Sequence, residues 1–477
     1  MKDKIVLISL ICILCFCSCG KKQKAEDKEL TVLKWVYEDD HVCKISAEQQ
    51  EYFNKLLKDK GYAVSVDFIG IPTDAYIETV DKMVKGEDCP DVLFTGCGSG
   101  KDAVDGSARV LEYDWLDDLT EYLDSEEGEK LRNSVPEKVY KSCSINGRYY
   151  GVSSFLPLYS NFTLFINEDI LEKNNIQIED GFKYDIKEIK KLLEKVGKIE
   201  DCTMLIPFNG SLSDNVSGFE KLCNYKGDYC LLLGAEADSS EGIINLLENK
   251  RIQDYIITLT ELRKNGYLEQ GRDFFICVSN NDISTDVINS KIEQLTQKYG
   301  NKKIKVVQSD AYYMWTVRNG ITGICKNSHN KEKSLEVLTA VMTDQNLSDA
   351  LLYKTQDGKM DIKDKKIEPH STYWYRALQF GNRFISTECV QEPDNKKEYM
   401  TDFYNSMPET ALFGVYLDLS EYNEMISKIN ELYTDYRELF EGKSENPEKE
   451  IEELNKKLYE AGIQELIDEV NRQLKKI

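Results

Sequence analysis

Glycine-rich turns after apolar strands can cradle phosphates, and Gly96-Cys97-Gly98-Ser99-Gly100-Lys101 follows such a run at Asp91 to Thr95. The Walker pattern is not met, because Thr95 stands where its first glycine belongs and Asp102 where Ser or Thr would bind magnesium. Nor does Ser99 sit in G-x-S-x-G. A tight turn that brings backbone amides to a cleft is the better account. The 3 histidines, His41, His329 and His370, are scattered and form no H-E-x-x-H, which argues against a zinc hydrolase or a catalytic triad. A glycosidase pair such as Glu38 with Asp91 stays open, but with 84 acidic residues such pairs arise by chance. Aromatic residues recur at expected strand ends and crossings: Trp35, Tyr37, Tyr76, Phe155, Tyr159, Trp315 and Trp374. A sugar ring presents an apolar C–H face and a rim of hydroxyls, so its site needs flat aromatics beside Asp, Glu and Asn. Each stacking contact contributes about 1 kcal/mol, by analogy with aromatic pairs. For any one of these rings, core packing is the competing account.

The elements that position these residues alternate. Leu30 to Tyr37 reads as a strand, Ala47 to Lys60 as a helix stopped at Gly61, and Ala63 to Ile69 as a strand. A helix after Pro72-Thr73 ends at Gly86, before a strand at Asp91 to Thr95. Such alternation implies a largely parallel sheet covered on both faces, with ligands at the carboxyl ends of its strands. Those ends are Tyr37-Glu38-Asp39-Asp40 and Thr95-Gly96-Cys97-Gly98. A second α/β series contains helices from Asp185 and from Arg251, and strands at Phe274 to Val278 and Lys303 to Val307. Between the two lies Asn146 to Leu171, opened by the hairpin signal Asn146-Gly147 and carrying Tyr149, Tyr150, Phe155, Tyr159, Phe162 and Phe165. Six aromatics exceed what one face of a strand can bury, so this stretch is expected to be a crossing between lobes. A return crossing is expected near Val307 to Thr316, and a third in the loop-like region Tyr353 to Asn382. The end is helical from Leu419 to Phe440 and again from Asn446-Pro447, with apolar faces expected to pack on the second lobe.

Lys2 and Lys4 precede an apolar run from Ile5 to Phe16 that fits a secretory leader better than a membrane span. A formal net charge of -23 argues against nucleic acid, whose phosphates demand a basic face. Ten cysteines follow Cys19 without a C-x-x-C pair or zinc spacing. Buried free thiols are expected, with a Cys223–Cys230 bridge as the alternative, since a body this large needs no staples.

Gly147-Arg148-Tyr149-Tyr150-Gly151-Val152-Ser153 followed by Leu164 to Leu171 resembles the hinge signature of family 1 extracellular solute-binding proteins, the sugar-binding lipoproteins of ABC importers. Gly320 to Asn330 is similar to that family's second half, and Leu417 to Leu474 to its LipO-type subgroup. Ser18-Cys19-Gly20 resembles a bacterial lipoprotein cleavage box, which implies a signal peptide at 1–18, lipidation at Cys19 and a charged tether at 19–29. The resemblance implies an α/β, two-lobed periplasmic-binding-protein fold with a hinge of several crossings and a helical C-terminus. Lobe 1 is expected to comprise 30–150 and 317–365, and lobe 2 to comprise 151–316 and 366–477. It further implies capture of an extracellular carbohydrate, an oligosaccharide foremost, by hinge closure at the outer face of the membrane, and delivery to an ABC permease. The expected ligand-binding residues are Tyr37, Glu38, Tyr76, Gly96, Phe155, Tyr159, Trp315 and Trp374. No catalysis, cofactor or metal is expected, and the chain is expected to be monomeric. A peptide or signalling-molecule binder of the same fold and an extracellular glycosidase remain the alternatives.

Overall fold

In the computed structural model the chain is described over residues 30–477, apart from 40–42, 98–105, 154–158, 240, 280–284, 311–312, 315, 354–361, 364–365, 368–372 and 390–393. The expected leader, Cys19 and the tether lie outside the described residues. No helix among the described residues is long and apolar enough to cross a membrane.

Leu33, Trp35, Val36 and Tyr37 are all buried, because the strand Thr31–Asp39 has neighbours on both sides and cover on both faces. It runs parallel to Val64–Pro72 over nine positions, from Thr31 opposite Val64 to Asp39 opposite Pro72, and parallel to Val92–Phe94 on its other side. Thr322–Ile324 returns antiparallel to Val92–Phe94 and completes a four-stranded sheet. The helix Ala47–Asp59 starts where the Ser46 side chain accepts from the Gln49 amide, and buries Phe53 and Leu57 against the sheet. The same helix shields the open edge. The Asn54 amide accepts from Val66 N and donates to Val66 O, while Gln50 Oε1 accepts from Phe68 N. The outermost strand thereby finds partners that another chain would otherwise supply.

The second lobe has two sheets. In one, Thr163–Asn167 lies antiparallel between Ile304–Gln308 and Asp273–Ser279, and Cys202–Ile206 lies parallel outside the latter. The other is an antiparallel meander of Phe219–Cys223, Tyr229–Glu236 and Ile243–Asn245, which was not expected from sequence. The C-terminal helices Asn423–Asp435, Pro447–Glu460 and Ile463–Leu474 bury Ile426, Ile429, Leu454, Leu458, Leu466 and Val470 in this lobe's core, as their apolar faces predicted. Asn430 fixes the first of them by accepting from Leu231 N and donating to Tyr229 O.

Three chain crossings lie side by side between the lobes. Tyr159–Ser160 pairs antiparallel with Tyr313–Met314, and Met314 N donates to Pro408 O. Thr316 Oγ1 donates to Leu412 O and accepts from Gly414 N. The first two crossings contain Tyr159–Ser160 and Tyr313–Met314. The third does not fall where expected: Phe380, Phe384, Tyr404 and Met407 belong to the first lobe's core, while Leu412 and Leu417 belong to the second's. The boundary between the lobes therefore falls within 407–417 and not near 365. Tyr373–Gln379 is a helix where a loop was expected; seven residues are too few to show a helical period.

None of the ten cysteines from Cys43 to Cys389 stands in a disulfide, and eight are buried. Cys223 and Cys230 are not bridged. They sit one position out of register on neighbouring strands, and Cys223 Sγ donates to Asn224 O.

Candidate functional site

The carboxyl ends of the first lobe's strands meet the crossings, and here most of the polar side chains are already committed. Glu38, next to last in the strand Thr31–Asp39, is 3% exposed. Its Oε2 accepts from Cys97 N at 2.7 Å, so the amide of the glycine-rich turn is used within the lobe. The Glu38 backbone is matched by one side chain: its N–H donates to Gln379 Oε1 at 2.8 Å, and its carbonyl accepts from Gln379 Nε2 at 2.9 Å. Gln379 closes the helix that carries Trp374. That helix is held at its centre by Arg376, which is fully buried and donates to Gln49 Oε1, Leu351 O and Lys44 O. An aromatic helix is thus pinned beside the strand end that bears Glu38.

Gly96 has φ +87, and three backbones converge on it. A Cβ on Gly106 would lie 1.8 Å from Gly96 O, and one on Gly320 2.5 Å from the same atom. A Cβ on Gly96 itself would meet Arg109 Nη1 at 2.1 Å. The glycines therefore permit close backbone approach, with no phosphate cradle among the described residues. Arg109 is 1% exposed and donates to Thr95 O at 2.9 Å. Tyr76 lies in the fields of Glu38 and Arg109 and donates to Phe94 O at 2.6 Å; burial pushes its phenol well above the ordinary range.

The expected binding residues divide accordingly. Tyr37 and Tyr76 are core residues, not stacking faces at a surface. Tyr37 packs edge-on to Phe380 at 5.2 Å, and its hydroxyl accepts from Ile45 N; alternation on a two-sided strand buries it. Trp35, singled out with them, is 1% exposed. Glu38 and Gly96 lie together at the strand ends. Phe155 and Trp315 lie outside the described residues, as do the side chains of Tyr159 and Trp374. The backbones of the latter two stand in the first crossing and in the pinned helix. Of the other crossing aromatics, Tyr149 stacks on Tyr140 at 4.2 Å in the first lobe, and Phe162 on Tyr184 at 4.0 Å in the second. Arg109, Gln379 and Arg376 were not anticipated, because a single polar residue in a short amphipathic helix carries no sequence signal. No group of metal-ligating side chains occurs among the described residues, and the two carboxylates suggested as a pair stand apart. Asp91 accepts from Ser328, Asn330 and Lys34 N at the opposite end of the sheet from Glu38.

Comparison with known proteins agrees with this architecture. Residues 411–476 match a family described as a domain of unknown function, DUF3502. A carbohydrate ABC transporter substrate-binding protein of Streptococcus pneumoniae is 22% identical over 384 residues, covering 75% of this chain and 74% of that one. Among solved structures, the N-glycan transport solute binding protein NgtS of the same organism superposes with a TM-score of 0.63 at 19% identity, covering 93% of this chain and 98% of that one. An extracellular solute-binding protein from Bifidobacterium longum subsp. infantis gives 0.55 at 12% identity, with 93% and 98% covered. With two α/β lobes joined by three adjacent crossings, the chain has the fold of the extracellular solute-binding proteins of ABC transporters.

Proposed function

We propose that this protein captures an extracellular carbohydrate, an oligosaccharide, between its two lobes and delivers it to a membrane permease, with Cys19 lipidated to hold it at the outer face of the membrane. The observation that carries this reading is the hinge. Three neighbouring crossings join two lobes whose hydrophobic cores share no residue. Such a joint permits rotation of one lobe against the other. The helix whose sequence carries Trp374 is locked beside the Glu38 strand end by Gln379, which supports a site at that strand end. The similarity to a carbohydrate ABC transporter substrate-binding protein supports the substrate class. So does the NgtS structure in complex with Man1GlcNAc, which has a TM-score of 0.52. Under this reading the protein is not an enzyme and needs no cofactor.

A thermal-shift panel of mannose- and glucose-based oligosaccharides, fructans and peptides tests the proposal, followed by calorimetry on any hit. The expected outcome is a saccharide that raises the melting temperature and binds at one to one without being consumed. A shift with peptides alone, or hydrolysis of a glycan, would overturn it. Release of the Cys19→Ala chain into the medium is the expected result for the anchor, and continued membrane retention would count against lipidation there.

A further inference from the structure

Cys89 and Cys325 are 236 residues apart in the chain, yet their sulfurs approach to 3.0 Å. That is about 1 Å longer than a sulfur–sulfur bond of ~2.05 Å. The approach is built by the sheet. Cys89 lies just before the strand Val92–Phe94 and Cys325 just after Thr322–Ile324, and these strands pair antiparallel with Ile324 opposite Val92. Cys325 N donates to Asp91 O, Asn327 Nδ2 donates to Val84 O, and Ser328 Oγ to Asp91 Oδ1, so both flanking segments are held.

We propose that Cys89 and Cys325 form a disulfide that ties the two separate chain segments of the first lobe to one another. The roles in its formation follow from exposure, Cys89 being half-buried and Cys325 buried. The Cys89 thiol is held below its ordinary range, chiefly by the hydrogen bond it receives from Cys325. It is therefore the sulfur that attacks an incoming disulfide, either of a thiol–disulfide oxidoreductase or of a small oxidised thiol. The attack forms a mixed disulfide and expels one thiolate of the oxidant. Cys325 then loses its proton and attacks the Cys89 sulfur, forming the intramolecular bond and releasing the second thiolate. Two thiols are oxidised and one disulfide is reduced. The bond sits at the end of the sheet remote from Glu38 and Gly96 and lies wholly within the first lobe, so it leaves the crossings free to move. Its effect is on stability: it closes a loop that contains most of the second lobe, and long loops gain most from closure.

The test is made on the purified chain in a buffer of oxidised and reduced glutathione, followed by alkylation of remaining thiols and peptide mapping. Expected is a cross-linked peptide pair containing Cys89 and Cys325, two hydrogens lighter than the separate peptides, and a melting temperature that falls by several degrees on reduction. Cys89→Ser and Cys325→Ser should each remove the redox sensitivity of the melting temperature while leaving ligand affinity unchanged. Recovery of both cysteines alkylated after oxidation, or Cys89 left as an unresolved mixed disulfide with glutathione, would overturn the proposal. Because the readout is a bond within the isolated chain, its failure says nothing about carbohydrate capture, and the reverse holds.

Discussion

Glu220 lies in the strand Phe219–Cys223, 8% exposed, where Thr410 of the third crossing donates a hydrogen bond to its carboxylate. Burial is the largest influence on it and holds its pKa above the ordinary 4.5, against the opposing effects of Thr410 and of Arg318, which stacks over Tyr416. A carboxyl raised in the folded state binds its proton more tightly there than in the unfolded chain. Its contribution to stability is fully present below about 4.5 and is lost as pH rises through the folded value. Ionising Glu220 therefore places a charge in a dry site, where only one hydroxyl and a nearby guanidinium favour it. Glu220→Gln keeps an oxygen for Thr410 and removes the charge. The variant is expected to be more stable than the parent at pH 7 by about 1 to 3 kcal/mol, with the difference shrinking as pH falls towards 4.5. Urea melts of both proteins at a series of pH values measure that difference directly, so the oppositely signed contributions of paired surface acids cancel. A difference that grew on acidification would show that the ionised form is the stabilising one.

At the scale of elements, the edge of the first sheet shows how a helix can stand in for a strand. Asn54 satisfies both backbone groups of Val66, with 2.7 Å to N and 2.9 Å to O, and Gln50 takes the N–H of Phe68. Asn54→Ala leaves that N–H and carbonyl to water or to another chain. Its expected cost is about 1 kcal/mol, with concentration-dependent aggregation on mild heating. Light scattering during a thermal ramp at two protein concentrations checks the second effect, and unchanged aggregation onset would remove the edge-guarding role. None of this bonding was legible in the sequence, because Asn54 looks like any exposed helical polar residue. The elements themselves were more legible. Periodic helices such as Ala47–Asp59, Ile186–Val196 and the C-terminal pair announce themselves because one face is apolar and caps mark their ends. The meander Phe219–Asn245 and the helix Tyr373–Gln379 are short and buried on more than one side, so they carry neither period. The same limit misplaced the third crossing: a boundary between lobes is a matter of which core a residue joins, and Phe380, Phe384 and Tyr404 look apolar in either. At the site, the positions of Glu38 and Gly96 followed from strand ends, whereas the burial of Tyr37 and Tyr76 depended on what covers both faces of the sheet.

For the whole molecule, the proposed capture of a ligand between the lobes rests on the joint formed by the crossings. The crossings are hydrogen-bonded to one another through Tyr159–Ser160, Tyr313–Met314, Pro408 and Thr316, so on the proposed reading a twist shared among the three crossings turns one lobe against the other with small changes at each residue. Among the described residues, few side-chain contacts span the lobes beside them. Lys138 of the first lobe meets Glu409 in the third crossing at 3.3 Å, and Tyr225 reaches Glu112 at 3.4 Å. Exposed contacts of this kind contribute little, so they do not bind the lobes to one orientation. A ligand that touches both lobes therefore selects the closed arrangement by its own differential contacts. At hundredfold excess over its dissociation constant it stabilises the protein by about 2.7 kcal/mol. Small-angle X-ray scattering on the saccharide-bound and free protein is expected to show a smaller radius of gyration when bound. The measurement requires enough salt to screen the repulsion between molecules of net charge -23. Tight binding with an unchanged radius would mean that the saccharide sits on one lobe, and that the three crossings serve as a rigid joint and not as a hinge.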